Sequence, residues 1–155
     1  MVKHLTNPLR DRPLPLGSLL HAAGSRLGAE LDTALRAAGF ADVRAAHGPV
    51  FMAIEPNGSR VTDLAERAAM SKQAVGELIR HLAEHGYLTI EPDPADRRAK
   101  KVRLTERGWE AVDQGARVIN AFEAWLEETV GRQQVTELRR ILTGIIATDP
   151  HSFSR

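Results

Sequence analysis

Across residues 61–104 the spacing of apolar side chains passes from helical to strand-like, and this run constrains the fold more than any other stretch. Thr62 stands before a short helical run, residues 63–69, with Glu66 on or near the capping-box position. Ser71 offers a second N-cap. The helix it opens extends to about His85, with Ala74, Val75, Leu78, Ile79 and Leu82 facing inward, and Gly86 ends it. Residues 87–90 read as a strand, Pro92, Asp93 and Pro94 as a turn, and residues 102–104 as the returning strand. Thr105 and Glu106 then start another helix. Two short helices, a tight turn and a hairpin, in that order, are the logic of a winged helix-turn-helix.

The flanks are helical. Leu16, Leu19, Leu20, Ala23, Leu27, Leu31, Ala34, Leu35 and Ala38 keep helical spacing over about six turns, and Gly39 is placed to end that helix. A shorter helix is expected over residues 45–54, with Pro49 tolerable only near its start, and Pro56-Asn57-Gly58 marks a turn. Val112, Ala116, Ile119, Phe122, Leu126 and Val130 form one stripe. Gly131 breaks it, Val135, Leu138, Ile141, Leu142, Ile145 and Ile146 form another, and Pro150 follows. The expected division is an N-terminal arm over 1–15, a dimerisation helix over 16–43, a DNA-binding lobe over 44–106 and C-terminal dimerisation helices over 107–155. One lobe of this size can hardly bury both long terminal stripes on itself, so a two-fold dimer is expected.

The fold class is therefore mainly α with a small β-hairpin wing. At 155 residues, 43% hydrophobic and 26% charged, the chain has the make-up of a globular protein with enough apolar content for a core. The absence of cysteine excludes disulfides, thiolate metal sites and a redox-sensing thiol. No apolar run approaches the ~20 residues of a membrane helix, and the start lacks a signal-peptide hydrophobic region, so the cytoplasm is the expected location. No cofactor or metal is implied.

Net charge is only +1, yet residues 96–107 hold six basic residues against Asp96 and Glu106, a local +4, leaving −3 for the remainder. Such a concentration suits a polyanion. A B-form major groove admits one helix, and side chains near that helix's N-terminus reach base edges. The candidate DNA-facing set on the second helix is Ser71, Lys72, Gln73, Ala74, Gly76, Glu77 and Arg80, Ala74 being counted with the inner face as well. Glutamine suits adenine, lysine and arginine suit guanine or phosphate, and Glu77 either accepts from cytosine or steadies a neighbour. On the hairpin the candidates are Asp96, Arg97, Arg98, Lys100 and Lys101.

Residues 61–88, from Val61-Thr62-Asp63-Leu64-Ala65 to Glu84-His85-Gly86-Tyr87-Leu88, resemble regulators of the multiple-antibiotic-resistance repressor (MarR) family. The segment Asp93-Pro94-Ala95-Asp96-Arg97-Arg98 through Val102-Arg103-Leu104-Thr105-Glu106-Arg107-Gly108 is similar to that family's wing. The resemblance implies a homodimeric repressor on a pseudo-palindromic double-stranded DNA operator. It also implies release by a small aromatic or anionic effector. It implies a wing arginine in the minor groove, Arg98 first and Arg97 second, and an aspartate, Asp96, orienting an arginine beside it. Gly48-Pro49 departs from the family pattern in the helix that often borders the ligand pocket. Candidate pocket residues are His21, His47 and Phe51, with Arg26, Met52 and Trp109 as further candidates.

Two other readings use the same residues. A winged helix can bind protein without DNA. His81-Leu82-Ala83-Glu84-His85 matches an inverted zinc-protease pattern, although no third ligand is evident.

Overall fold

A computed structural model describes residues 13–148, so most of the expected N-terminal arm, and Pro150, lie outside the described residues. Helix α1, Leu16–Ala37, closes at Gly39, whose φ of +92° is the left-handed conformation glycine adopts without penalty. A 3-10 turn, Ala45–His47, leads into α2, Gly48–Ala53. Pro49 sits in the first turn of α2, where a missing N–H costs nothing. The single helix expected over residues 45–54 is thus two pieces.

Strand β1, Ser59–Arg60, runs directly into α3, Val61–Arg67. Pairing of β1 with the wing keeps the chain extended up to Arg60, so the helix begins one residue before Thr62 and Arg60 occupies its N-cap. Thr62 is therefore not the cap; its hydroxyl donates to Asp63 Oδ1 at 3.1 Å. The two residues of β1 are too few for an alternating pattern, which is why the sequence does not announce them. Helix α4, Lys72–Glu84, is capped as expected, Ser71 Oγ accepting from the Ala74 amide at 3.1 Å. Gly86 ends it with φ +79°.

The hairpin is longer than the sequence suggested. Strand β2 is Leu88–Asp93 and β3 is Asp96–Leu104, in an antiparallel sheet of order β1-β3-β2. Pro92 and Asp93 belong to β2 rather than to a turn. Because β2 is an edge strand, the missing N–H of Pro92 breaks no ladder, and the register shifts just after it. Helices α5, Glu106–Val130, and α6, Arg132–Ala147, follow, parted at Gly131 with φ +98°.

The core joins α2, α3, α4 and the sheet, with Val50, Leu64, Val75, Leu82, Tyr87 and Val102 fully buried. One junction sets the wing against α5. The Thr105 hydroxyl donates to the Gly86 carbonyl at 2.7 Å and accepts from the Gly108 amide at 3.0 Å, while the Thr105 amide donates to the Tyr87 carbonyl at 3.1 Å. A Cβ at Gly108 would collide with that Tyr87 carbonyl oxygen and press on Leu104. Gly108→Ala is expected to cost about 1–3 kcal/mol, as overpacking of a close-packed site does. Urea unfolding of the variant against wild type measures it, and equal midpoints would contradict the placement of this junction.

Candidate nucleic-acid interface

The inner face of α4 buries Val75, Ile79 and Leu82. That burial fixes the helix so that Ser71, Lys72, Gln73, Glu77 and Arg80 are exposed, with Ala74 and Gly76 half-buried at the margins. Gln73 Nε2 lies 3.3 Å from Glu77 Oε1. A carboxylate only accepts, so the Gln73 amide must turn its NH2 to Glu77.

On the wing, Arg98 and Lys100 are exposed on β3 and Lys101 is half-buried opposite Glu91. Arg103 Nε is 3.8 Å from Glu91 Oε2, so part of the basic strand is already countered. The side chain of Arg97 lies outside the described residues. The positive residues occupy a strand rather than a loop, so their spacing is set by the sheet.

Asp96 engages the backbone of an arginine. Its Oδ1 accepts from the backbone amide of Arg98 at 3.0 Å, which tightens the start of β3. A buried carboxylate that grips an arginine side chain is Asp93, only 6% exposed. Its Oδ1 accepts from the Ala95 amide at 2.9 Å and its Oδ2 from Arg60 Nε at 2.6 Å. The Ala95 amide and then the Arg60 guanidinium hold the Asp93 carboxyl below the usual carboxylate range. A depressed carboxylate contributes its stability above the unfolded-state value and loses it only as pH falls through the folded one, so this strut is intact at neutral pH. It ties the wing tip to the residue that caps α3. Arg60 and Asp93 form a strut that sequence reasoning missed; an aspartate before Pro94 read simply as turn chemistry.

The candidate pocket residues do not all meet. His21 is exposed on α1, within 3.5 Å of Ser25. Arg26 lies over the Trp125 ring at 5.6 Å, in a cleft with Glu30 and Phe122. Trp109 is partly exposed on α5. Phe51 and Met52 do line a cavity of about 180 Å³ between α1, α2 and α5, with Leu31, Leu35, Val43, Val112 and Ile119. Its one charged lining residue is Arg44, which sequence reasoning had not singled out.

His47 is buried instead against α4. Its ring stacks on His81, centroids 4.9 Å apart and planes 9° from parallel. His81 Nε2 lies 2.9 Å from the Asp42 carbonyl and His85 Nδ1 2.8 Å from the His81 carbonyl. Among the described residues no group of three or more histidine, aspartate or glutamate side chains is placed to hold a metal ion.

The MarR family model matches residues 41–99, which span α2, the helix-turn-helix and the wing tip. Over those residues the chain is similar to the MarR family. A curated relative, the transcriptional activatory protein BadR of Rhodopseudomonas palustris, is 31% identical over 114 residues, 71% of this chain and 61% of that protein. The chain thus spans about three fifths of the relative it matches. Solved MarR-family structures share the fold. The repressor CouR bound to a 23-mer DNA duplex superposes with a TM-score of 0.75 at 19% identity, over 92% of this chain and 99% of that one. BpsR of Bordetella bronchiseptica, whose DNA binding is regulated by 6-hydroxynicotinic acid, gives 0.73 at 20% identity over 94% and 99%. Apo MarR of E. coli gives 0.65 at 21% identity over 86% and 98%. Among the described residues, no helix is long and apolar enough to cross a membrane.

Proposed function

We propose that this chain is a sequence-specific, double-stranded DNA-binding transcriptional regulator that acts as a homodimer on a pseudo-palindromic operator. In the simplest arrangement it represses by occupying a promoter. The observation that carries the reading is the outward face of α4, Ser71 to Arg80, standing with a basic β3 whose tip is braced by Asp93 and Arg60. Side chains from α4 read the major groove while Arg98 enters the adjacent minor groove, where A·T-rich sequence deepens the negative potential.

Homodimerisation is supported by apolar residues that this chain leaves exposed: Leu16, Leu19 and Leu20 on α1, and Leu138, Ile141 and Ile145 on α6. Residues 16–43 and 107–155 then serve as the dimerisation lobe and 44–106 as the DNA-binding lobe. The effector reading moves to the cavity lined by Phe51 and Arg44. An apolar chamber bordered by one arginine suits a small aromatic or anionic compound, and its occupation biases the separation of the two DNA-binding lobes.

Selection of genomic fragments by the purified protein, followed by a salt titration of the selected duplex, tests the reading. Log affinity is expected to fall with log salt at a slope of about −0.9 per neutralised phosphate. A flat response, or no retained DNA, would favour a protein-binding winged helix instead.

A further inference from the structure

We infer that residues 42–48 form a pH-sensitive latch joining the wall of the apolar cavity to the C-terminal end of α4, with the buried imidazole of His47 as its titrating element. This rests on the DNA-binding and effector reading for its consequence, though not for its existence. One side of the segment, Val43, Arg44 and Gly48, lines the cavity. The other side engages the last turn of α4. There the Asp42 carbonyl accepts from His81 Nε2–H, the Asp42 carboxylate lies 3.6 Å from His85 Nε2, and the His47 ring covers His81. His85 folds back on His81, ring centroids 4.3 Å apart. Whatever moves the cavity wall therefore also moves the seat of α4.

The tautomer of His47 is fixed by its partner. Its Nδ1 lies 2.9 Å from the Arg44 backbone N–H, and only an unprotonated nitrogen accepts that hydrogen. Around the ring, burial, His81 and His85 from α4, and Arg44 from its own segment oppose a positive charge, whereas Asp32 from α1 favours one. Asp32 is itself engaged, its Oδ1 accepting from the Ala45 amide at 2.6 Å. Together these hold His47 below its ordinary value. The folded state then binds fewer protons than the unfolded chain, so the contact is stable above the unfolded value and is lost as pH falls through the lower, folded one. A proton on His47 removes the Nδ1 acceptor and sets a cation against two imidazoles. Residues 42–47 then release the end of α4. Acidification by itself adds positive charge and strengthens attraction to phosphate. A latch of this kind acts against that background.

Histidine-ring NMR of the full chain without DNA reads the latch directly. The His47 ring is expected to titrate below about 6.5, and the backbone amides of Val43, Gly48 and His81 to shift with the same midpoint. Amides that stay still across the His47 titration would overturn the inference. On a duplex selected by the protein, affinity is expected to fall between pH 7.5 and 5.5 by less than the roughly tenfold of a group that must stay neutral and titrates at about 6.5. His47→Asn, whose Oδ1 can accept the Arg44 N–H at any pH, is expected to flatten that profile; identical profiles would overturn the inference. Should that variant not fold, His81→Gln keeps the donor to Asp42 and removes the stacked imidazole, and an unchanged His47 midpoint would contradict the latch. Failure to select any duplex removes the DNA reading and leaves the latch to be decided by the NMR titration.

Discussion

Replacing Ile145 with glutamate is expected to turn a dimer of twice 17.0 kDa into single folded chains and to abolish tight operator binding. Ile145 is 56% exposed on α6 and continues the face begun by Leu138 and Ile141. In a two-fold interface every substitution is felt twice. Desolvating one unpaired carboxylate costs several kcal/mol, so the dimer is expected to weaken by about a thousandfold or more. The solitary chain keeps the core around Leu64, Val75 and Tyr87, a cluster to which Leu138, Ile141 and Ile145 do not belong, and its circular dichroism is expected to stay helical. Loss of the second half-site then lowers DNA affinity by about 10²–10⁴. Analytical ultracentrifugation of the variant at micromolar concentration checks the first step. A sedimenting dimer would show that α6 is not the interface.

Arg98→Ala is expected to weaken operator binding by about 1–3 kcal/mol, roughly 5- to 150-fold. Arg98 is exposed near the start of β3, and its backbone is pinned by Asp96, so the guanidinium is presented from a fixed point. The loss should concentrate on operators with an A·T-rich minor groove beside the half-site, because the narrow groove rewards the cation. Lys100→Ala, removing a phosphate contact, is expected to cost less, to act alike on all sequences and to reduce the salt slope by about one. Asp93→Ala removes no cation. It is expected to weaken specific binding while leaving the salt slope as in wild type, because its role is to brace the wing through Arg60 and the Ala95 amide. Fluorescence anisotropy on the selected duplex at several salt concentrations separates the three, and an Arg98 variant that binds like wild type would remove the wing from the account.

The features legible in the sequence are those encoded over one or two turns of chain. Ser71 and Thr105 cap the helices they precede, and Gly39, Gly86 and Gly131 take the positive φ expected where helices end. The inward stripe of α4 is read from spacing alone, since helical period and burial are the same fact seen twice. What stayed hidden depends on partners distant in sequence. Thr62 looks like a cap until Ser59 pairs with Val102 and carries the strand to Arg60. Asp93 looks like a turn residue until Arg60, thirty-three positions earlier, reaches it. His47 reads as a pocket residue because nothing local reveals that His81 stacks on it. Likewise Arg44 reaches the cavity only because α1, α2 and α5 converge there.

Chemical protection of the selected duplex is the most direct measurement of the claim that two copies of α4 and two wings hold one stretch of DNA. Dimethyl sulfate should reveal two patches of shielded major-groove guanine about 10 base pairs apart, and hydroxyl radicals should reveal protected minor groove on the outer flank of each. A single protected patch, or two patches with no minor-groove protection beside them, would contradict it.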